Sequence, residues 1–118
     1  MRENKKYDLE DRTFVFARDV RMFVKTLPKT VANMEDSRQI VKASGSVGAN
    51  YREANEKLSK KDFVLRIKIC RKEAKESAYW LKLIVDTNNL ENKQEGQRLH
   101  QEAIELKKIF SSIIDKST

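Results

Sequence analysis

Lys61, Lys68, Lys75 and Lys82 recur every seven residues, with Lys72, Arg66 and Arg71 in the same stretch. Cations at that spacing fall on one side of a helix, and such a side neutralises phosphates. Tyr79 is interleaved among them and adds an aromatic surface. Two readings stand beside each other: a polyanion-binding face, or a solvated lysine face balanced by neighbours such as Glu73 and Glu76. The charge distribution favours the first. Of the net +7, residues 36–88 hold 12 basic and 7 acidic groups, against 8 and 6 in residues 1–35 and 5 and 5 in residues 89–118.

Other reactive residue types are sparse. His100 stands alone, with no serine, cysteine or carboxylate at a spacing that suggests a triad. Cys70 falls on an apolar helix face, where a cysteine acts as a small hydrophobe. One thiol and one imidazole are poor material for zinc. Glu53 with Glu56, and Glu73 with Glu76, are carboxylate pairs at helical spacing, but no Glu-x-x-His pair accompanies them as a di-metal bundle requires. No phosphate-cradling glycine loop is present. These features predict a protein that is not an enzyme and uses no metal or cofactor. Ser46, Asn50 and Glu53 share one helix side and read as a structural polar network, with Arg12 or Thr13 as partners; a ligand site is the minor reading.

The elements that position these residues are helices. Apolar residues recur at three-and-four spacing, and with 3 Gly and 1 Pro there is little turn chemistry for strands. The first helix is predicted over about 11–27, with Leu9, Thr13, Phe16, Ala17, Val20, Phe23, Val24 and Leu27 on its buried face, Asp8 or Asp11 as cap, and Pro28 as its stop. Residues 28–35 read as a connection. Asp36, with Gln39 three residues on, reads as the cap of a second helix over 37–57. Its seam is Ile40, Ser44, Val47, Tyr51, Ala54 and Leu58, while Gly45 and Gly48 mark a close approach by a neighbouring helix. Ser59 caps a third helix over 60–86, and Asn92 with Glu95 opens a fourth over 93–115. Leu99, Leu106, Ile109, Phe110, Ile113 and Ile114 form its face. Short connections make this an all-α, antiparallel, up-down four-helix bundle in one domain, 1–118.

The third helix carries more apolar surface than one bundle uses. Phe63, Ile67, Cys70, Ala74, Ser77, Leu81 and Ile84 make its core face. Leu65, Ile69, Trp80 and Leu83 make a second stripe, which reads as an interface between copies of the chain. The alternative packs Trp80 beneath the first helix or a loop. No apolar run reaches membrane-spanning length, and the charged stretch Met1–Lys6 lacks a signal-peptide core, so a cytoplasmic protein without membrane contact is expected.

Several stretches resemble a known family: Asp8-Leu9, Arg12-Thr13, Phe16-Ala17 and Leu27-Pro28; Ser46-Val47-Gly48-Ala49-Asn50-Tyr51-Arg52-Glu53-Ala54; and Ser59-Lys60-Lys61-Asp62-Phe63. They continue with Lys72-Glu73-Ala74-Lys75-Glu76-Ser77, Tyr79-Trp80-Leu81, Glu105-Leu106 and Ile109. The chain resembles, over nearly its whole length, the four-helix-bundle proteins of the 23S rRNA intervening-sequence family; the stretch from Ser46 to Ala54 is the most specific part. The resemblance implies an up-down bundle that assembles as a ring, commonly a pentamer. Many members are encoded in insertions within large-subunit rRNA genes. A related group serves diversity-generating retroelements, where a basic pentamer binds nucleic acid and a reverse transcriptase. The family offers no agreed catalytic residues to carry over. The expectation is a non-enzymatic homo-oligomer that binds RNA or DNA non-specifically through Lys61, Lys68, Lys72, Lys75 and Lys82, with Arg66 or Arg71 assisting. The alternative is a protein–protein adaptor whose lysine stripe meets an acidic partner.

Overall fold

The computed structural model describes residues 8–56 and 59–118. Four helices follow one another: α1 (Leu9–Val24), α2 (Val31–Ala54), α3 (Lys60–Thr87) and α4 (Lys93–Ser117). They form the antiparallel up-down bundle that the periodicity predicts. Each helix packs on its sequence neighbours, and α1 closes the bundle against α4. One core runs through all four, built on the fully buried Phe16, Val20, Ile40, Val47, Ile67, Leu81, Leu99 and Phe110. Burying each of the larger side chains contributes about 1.5–3 kcal/mol, which offsets the entropy lost when the helices order.

The helix starts follow local chemistry. Asp8 caps α1, its carboxylate accepting from the Asp11 amide at 3.2 Å. Ser59 caps α3 by accepting from the Asp62 amide at 2.9 Å. Asn92 stands at the start of α4 but makes no side-chain cap; its amide donates instead to the Thr26 hydroxyl at 3.0 Å, tying the α3–α4 connection to the end of α1.

Three boundaries differ from the sequence reading. α1 ends at Val24 rather than Leu27, because the chain tightens before Pro28: the amides of Thr26 and Leu27 turn back to the carbonyls of Phe23 and Val24 at 3.0 and 3.2 Å. Leu27 is still buried. α2 begins at Val31, not after Asp36. Thr30 is the cap, accepting from the Asn33 amide at 3.1 Å, and Asp36 lies inside the helix with its carboxyl raised above the usual range by partial burial and by Glu35. The predicted capping box at Asp36 and Gln39 is not formed; the Gln39 amide donates to Glu35 at 3.2 Å. α2 ends at Ala54, three residues before the predicted end at Lys57: the amides of Asn55 and Glu56 turn back to the carbonyls of Tyr51 and Glu53, each at 3.1 Å. Lys57 and the predicted seam residue Leu58 lie outside the described residues.

Polar groups in the core are satisfied locally. The buried Thr13 hydroxyl donates to the Leu9 carbonyl at 2.6 Å, and that of Ser77 to the Glu73 carbonyl at 2.8 Å. Asn33 and Asn88 pair reciprocally: each side-chain amide donates to the other's oxygen, at 2.8 and 2.9 Å. Their second donors reach the Pro28 and Ile84 carbonyls at 2.9 and 2.8 Å, so the pair locks the start of α2 to the end of α3.

Candidate nucleic-acid interface

Ser59 starts α3 in the register that places Lys61, Lys68, Lys75 and Lys82 in one exposed row. Each seven-residue step rises about 10.5 Å, so the row extends for about 32 Å along α3. Lys61, Lys68 and Lys75 make no ion pair with the described residues. The other two lysines are partly spoken for. Lys72 lies 3.9 Å from Glu73 and 3.8 Å from Glu76, and Lys82 lies 3.2 Å from Asp86. Exposed pairs of this kind contribute little to stability.

The two arginines differ from the lysines. Arg66 turns toward α2 and donates to the Asn50 side-chain oxygen at 3.0 Å. Arg71 is half-buried. The Asn50 amide donates to the Ser46 carbonyl at 2.9 Å and to its hydroxyl at 3.0 Å, so Ser46, Asn50 and Arg66 form one chain of hydrogen bonds across the α2–α3 seam. Glu53 is exposed and stands outside that chain. Neither expected partner from α1 joins it. Thr13 bonds its own helix, and Arg12 makes a two-pronged ion pair with Glu102 of α4 at 2.7 and 2.9 Å. That pair holds the Arg12 guanidinium above its ordinary pKa through the Glu102 hydrogen bond.

Cys70 is fully buried and its thiol donates to the Val47 carbonyl at 3.5 Å. Burial pushes its pKa up to about 12, so the thiolate nucleophile is suppressed. His100 is half-buried beside a small cleft shared with Lys82, Val85, Asp86 and Gln97. Among the described residues, no three His, Cys, Asp or Glu side chains gather where a metal ion could be held.

The second apolar stripe of α3 lies on its α2 side, the side of Arg66. Leu65 is 56 % exposed, while Ile69, Trp80 and Leu83 are half-buried. Trp80 packs against the core and meets Tyr79 edge-on, with ring centres 5.0 Å apart. Its own bundle therefore already uses part of Trp80. Tyr79 joins this aromatic pair while itself remaining exposed.

A further surface was not read from the sequence. Phe14 and Met22 project from α1, 57 % and 56 % exposed. They border a groove of about 570 Å³ whose floor includes Ala17, Gly45, Gly48 and Ala49, rimmed by Arg18, Arg21, Lys25 and Arg52. Gly48 permits the close approach of α1, since a Cβ there would stand 3.0 Å from the Thr13 hydroxyl. The available signal was the eight-residue spacing of Phe14 and Met22, which puts both on one side of α1 away from its core face.

No curated protein matches the chain. Among solved structures, a protein of unknown function from the S23 ribosomal protein family of Bacteroides thetaiotaomicron superposes with a TM-score of 0.77 at 31 % identity, covering 89 % of this chain and 96 % of that one. No helix among the described residues is long and apolar enough to cross a membrane. The sequence pattern of the 23S rRNA-intervening sequence proteins matches residues 5–112, and the chain belongs to that family.

Proposed function

We propose that this protein is a non-enzymatic, homo-oligomeric bundle that binds RNA or DNA backbones with little sequence preference through the lysine row of α3. One observation carries the reading: Lys61, Lys68 and Lys75 stand exposed in a row and make no ion pair with the described residues. Binding by such a row is phosphate neutralisation with counterion release. Lys72 and Lys82 add to it by exchanging their carboxylates for phosphate. Arg66 is assigned to the seam with Asn50 rather than to nucleic acid. The exposed Leu65 at the edge of the second stripe supports self-association, and an oligomer would multiply a weak face through avidity. The family's name makes a segment of 23S rRNA the first RNA to test.

The experiment is a fluorescence titration of labelled duplex RNA at several salt concentrations, with the wild type and a Lys61→Ala, Lys68→Ala, Lys75→Ala variant. Affinity that falls steeply with salt, and falls further in the variant, supports the proposal. Affinity that ignores salt refutes it. The adaptor reading draws on the same row and on the exposed Tyr79 nearby; it gains if one acidic protein is recovered after nuclease treatment and RNA does not bind.

A further inference from the structure

Tyr79 is the one aromatic side chain of α3 that the bundle leaves exposed, 58 % open to solvent. Its hydroxyl makes no hydrogen bond with the described residues, and its ring takes no part in the core. What holds it is Trp80. The two rings meet at 73°, with centres 5.0 Å apart, and Trp80 itself packs against the core. A near-perpendicular contact occupies at most one face of the Tyr79 ring, so the other face stays open. A ring that is propped in place with one face bare is a surface on which a planar group can stack.

Tyr79 also stands within the lysine row. Lys75 precedes it by four residues and Lys82 follows it by three, so both lie on its side of α3, about 6 and 4.5 Å away along the axis. Lys75 makes no ion pair with the described residues. The acids on this side, Glu76 and Asp86, are each met by a lysine: Lys72 at 3.8 Å and Lys82 at 3.2 Å. A base laid on Tyr79 would therefore have ammonium groups before and after it for the phosphates of its own strand. We propose that Tyr79 is the base-stacking platform of this face, and that the ligand the face takes is unpaired RNA or DNA, held by its bases as well as by its phosphates. This rests on the phosphate-neutralising reading above and narrows its substrate class.

The pairing state of the ligand follows from what Tyr79 can reach. A duplex hides the faces of its bases inside the stack, so it meets the lysines alone and gains nothing from the ring. In a single strand, a loop or a frayed end, a base can be splayed onto an aromatic side chain. Every base has a π-face, so the contact adds affinity without reading sequence, in keeping with a row of lysines that reads none. Phe14, the other exposed aromatic ring among the described residues, belongs to α1 and not to the lysine row.

The test compares three labelled probes of equal length: oligothymidylate, its duplex with oligoadenylate, and an abasic strand that keeps the phosphates and lacks the bases. Wild type, Tyr79→Ala and Tyr79→Phe are titrated with each over a range of salt. Removing an aromatic platform costs about 5- to 100-fold in affinity per stacked base. The proposal expects Tyr79→Ala to lose that factor on oligothymidylate with its salt slope unchanged, and to bind the duplex and the abasic strand as the wild type does. Tyr79→Phe keeps the ring and should match the wild type on all three. A wild type that binds oligothymidylate no better than the abasic strand overturns the proposal. So does an equal loss on all three probes in Tyr79→Ala, which would place the side chain in the fold or the assembly instead. A wild type that binds none of the probes at low salt refutes the phosphate-neutralising reading itself, and this is seen before any variant is titrated.

Discussion

Gly96 sits in the first turn of α4, buried where α1 and α3 converge. A methyl group added there would stand 2.6 Å from Val85 Cγ2 and 2.8 Å from Phe23 Cζ. Carbon atoms prefer about 3.5–4.0 Å, so the methyl overlaps both neighbours by roughly 1 Å. Neither can withdraw: Phe23 is 2 % exposed and Val85 6 %. Overpacking of this kind costs about 1–3 kcal/mol, and two overlaps of this depth against immobile neighbours place it in the upper part of that range, about 2–3 kcal/mol. Against it, alanine is a better helix residue than glycine by up to about 1 kcal/mol. The expected net for Gly96→Ala is therefore a loss of about 1–2 kcal/mol. At about 4 °C per kcal/mol for a domain of this size, the melting temperature should fall by about 4–8 °C. Thermal melts of both proteins at equal concentration measure it. An unchanged or raised melting temperature would mean that helix propensity governs the site and that the three-helix packing around Gly96 is misjudged.

Glu102→Gln keeps the shape of the Arg12 contact but removes its charge, which should cost about 1–2 kcal/mol in urea unfolding and loosen α1 from α4. Asn88→Ala leaves the amide of the buried Asn33 short of both a donor and an acceptor; a loss of about 1–3 kcal/mol is expected, with amide exchange fastest at the start of α2. Cys70 should resist thiol reagents at pH 8 in the folded protein and react once urea unfolds it. Burial pushes its folded pKa up to about 12, above the ordinary thiol range, so its contribution to stability is complete below about pH 9 and declines as pH rises toward about 12. Over that window Cys70→Ala should lose less stability than the wild type.

The bundle was legible because its signals are local and repeated. Phe16, Val20 and Phe23, or Ile67, Cys70 and Ala74, return to one face every three or four residues, and burial follows that period. Ser59 announced α3 through a cap that needs only its own turn. The start of α2 was harder. Val31 and Met34 are exposed, so the first turns carry no apolar stripe, and the apparent capping box at Asp36 and Gln39 points to a later start than the Thr30 cap that forms. A further hold on those turns is distant in sequence: Asn33 meets Asn88, 55 residues away. The same limit applies to the candidate site. The exposed lysine row follows from periodicity alone, whereas the diversion of Arg66 to Asn50, and the groove formed where Phe14 and Met22 border Gly45 and Gly48, depend on how two helices meet.

The central functional claim concerns the lysine row, and the salt dependence of RNA binding tests it most directly. Each phosphate contact contributes about 0.9 to the slope of log affinity against log salt. Replacing Lys61, Lys68 and Lys75 with alanine should therefore flatten that slope by about one unit per lysine that contacts phosphate in the bound complex, with the fold unchanged. A wild-type slope near zero, or a variant whose slope and affinity equal those of the wild type, would contradict the claim that α3 neutralises a nucleic-acid backbone.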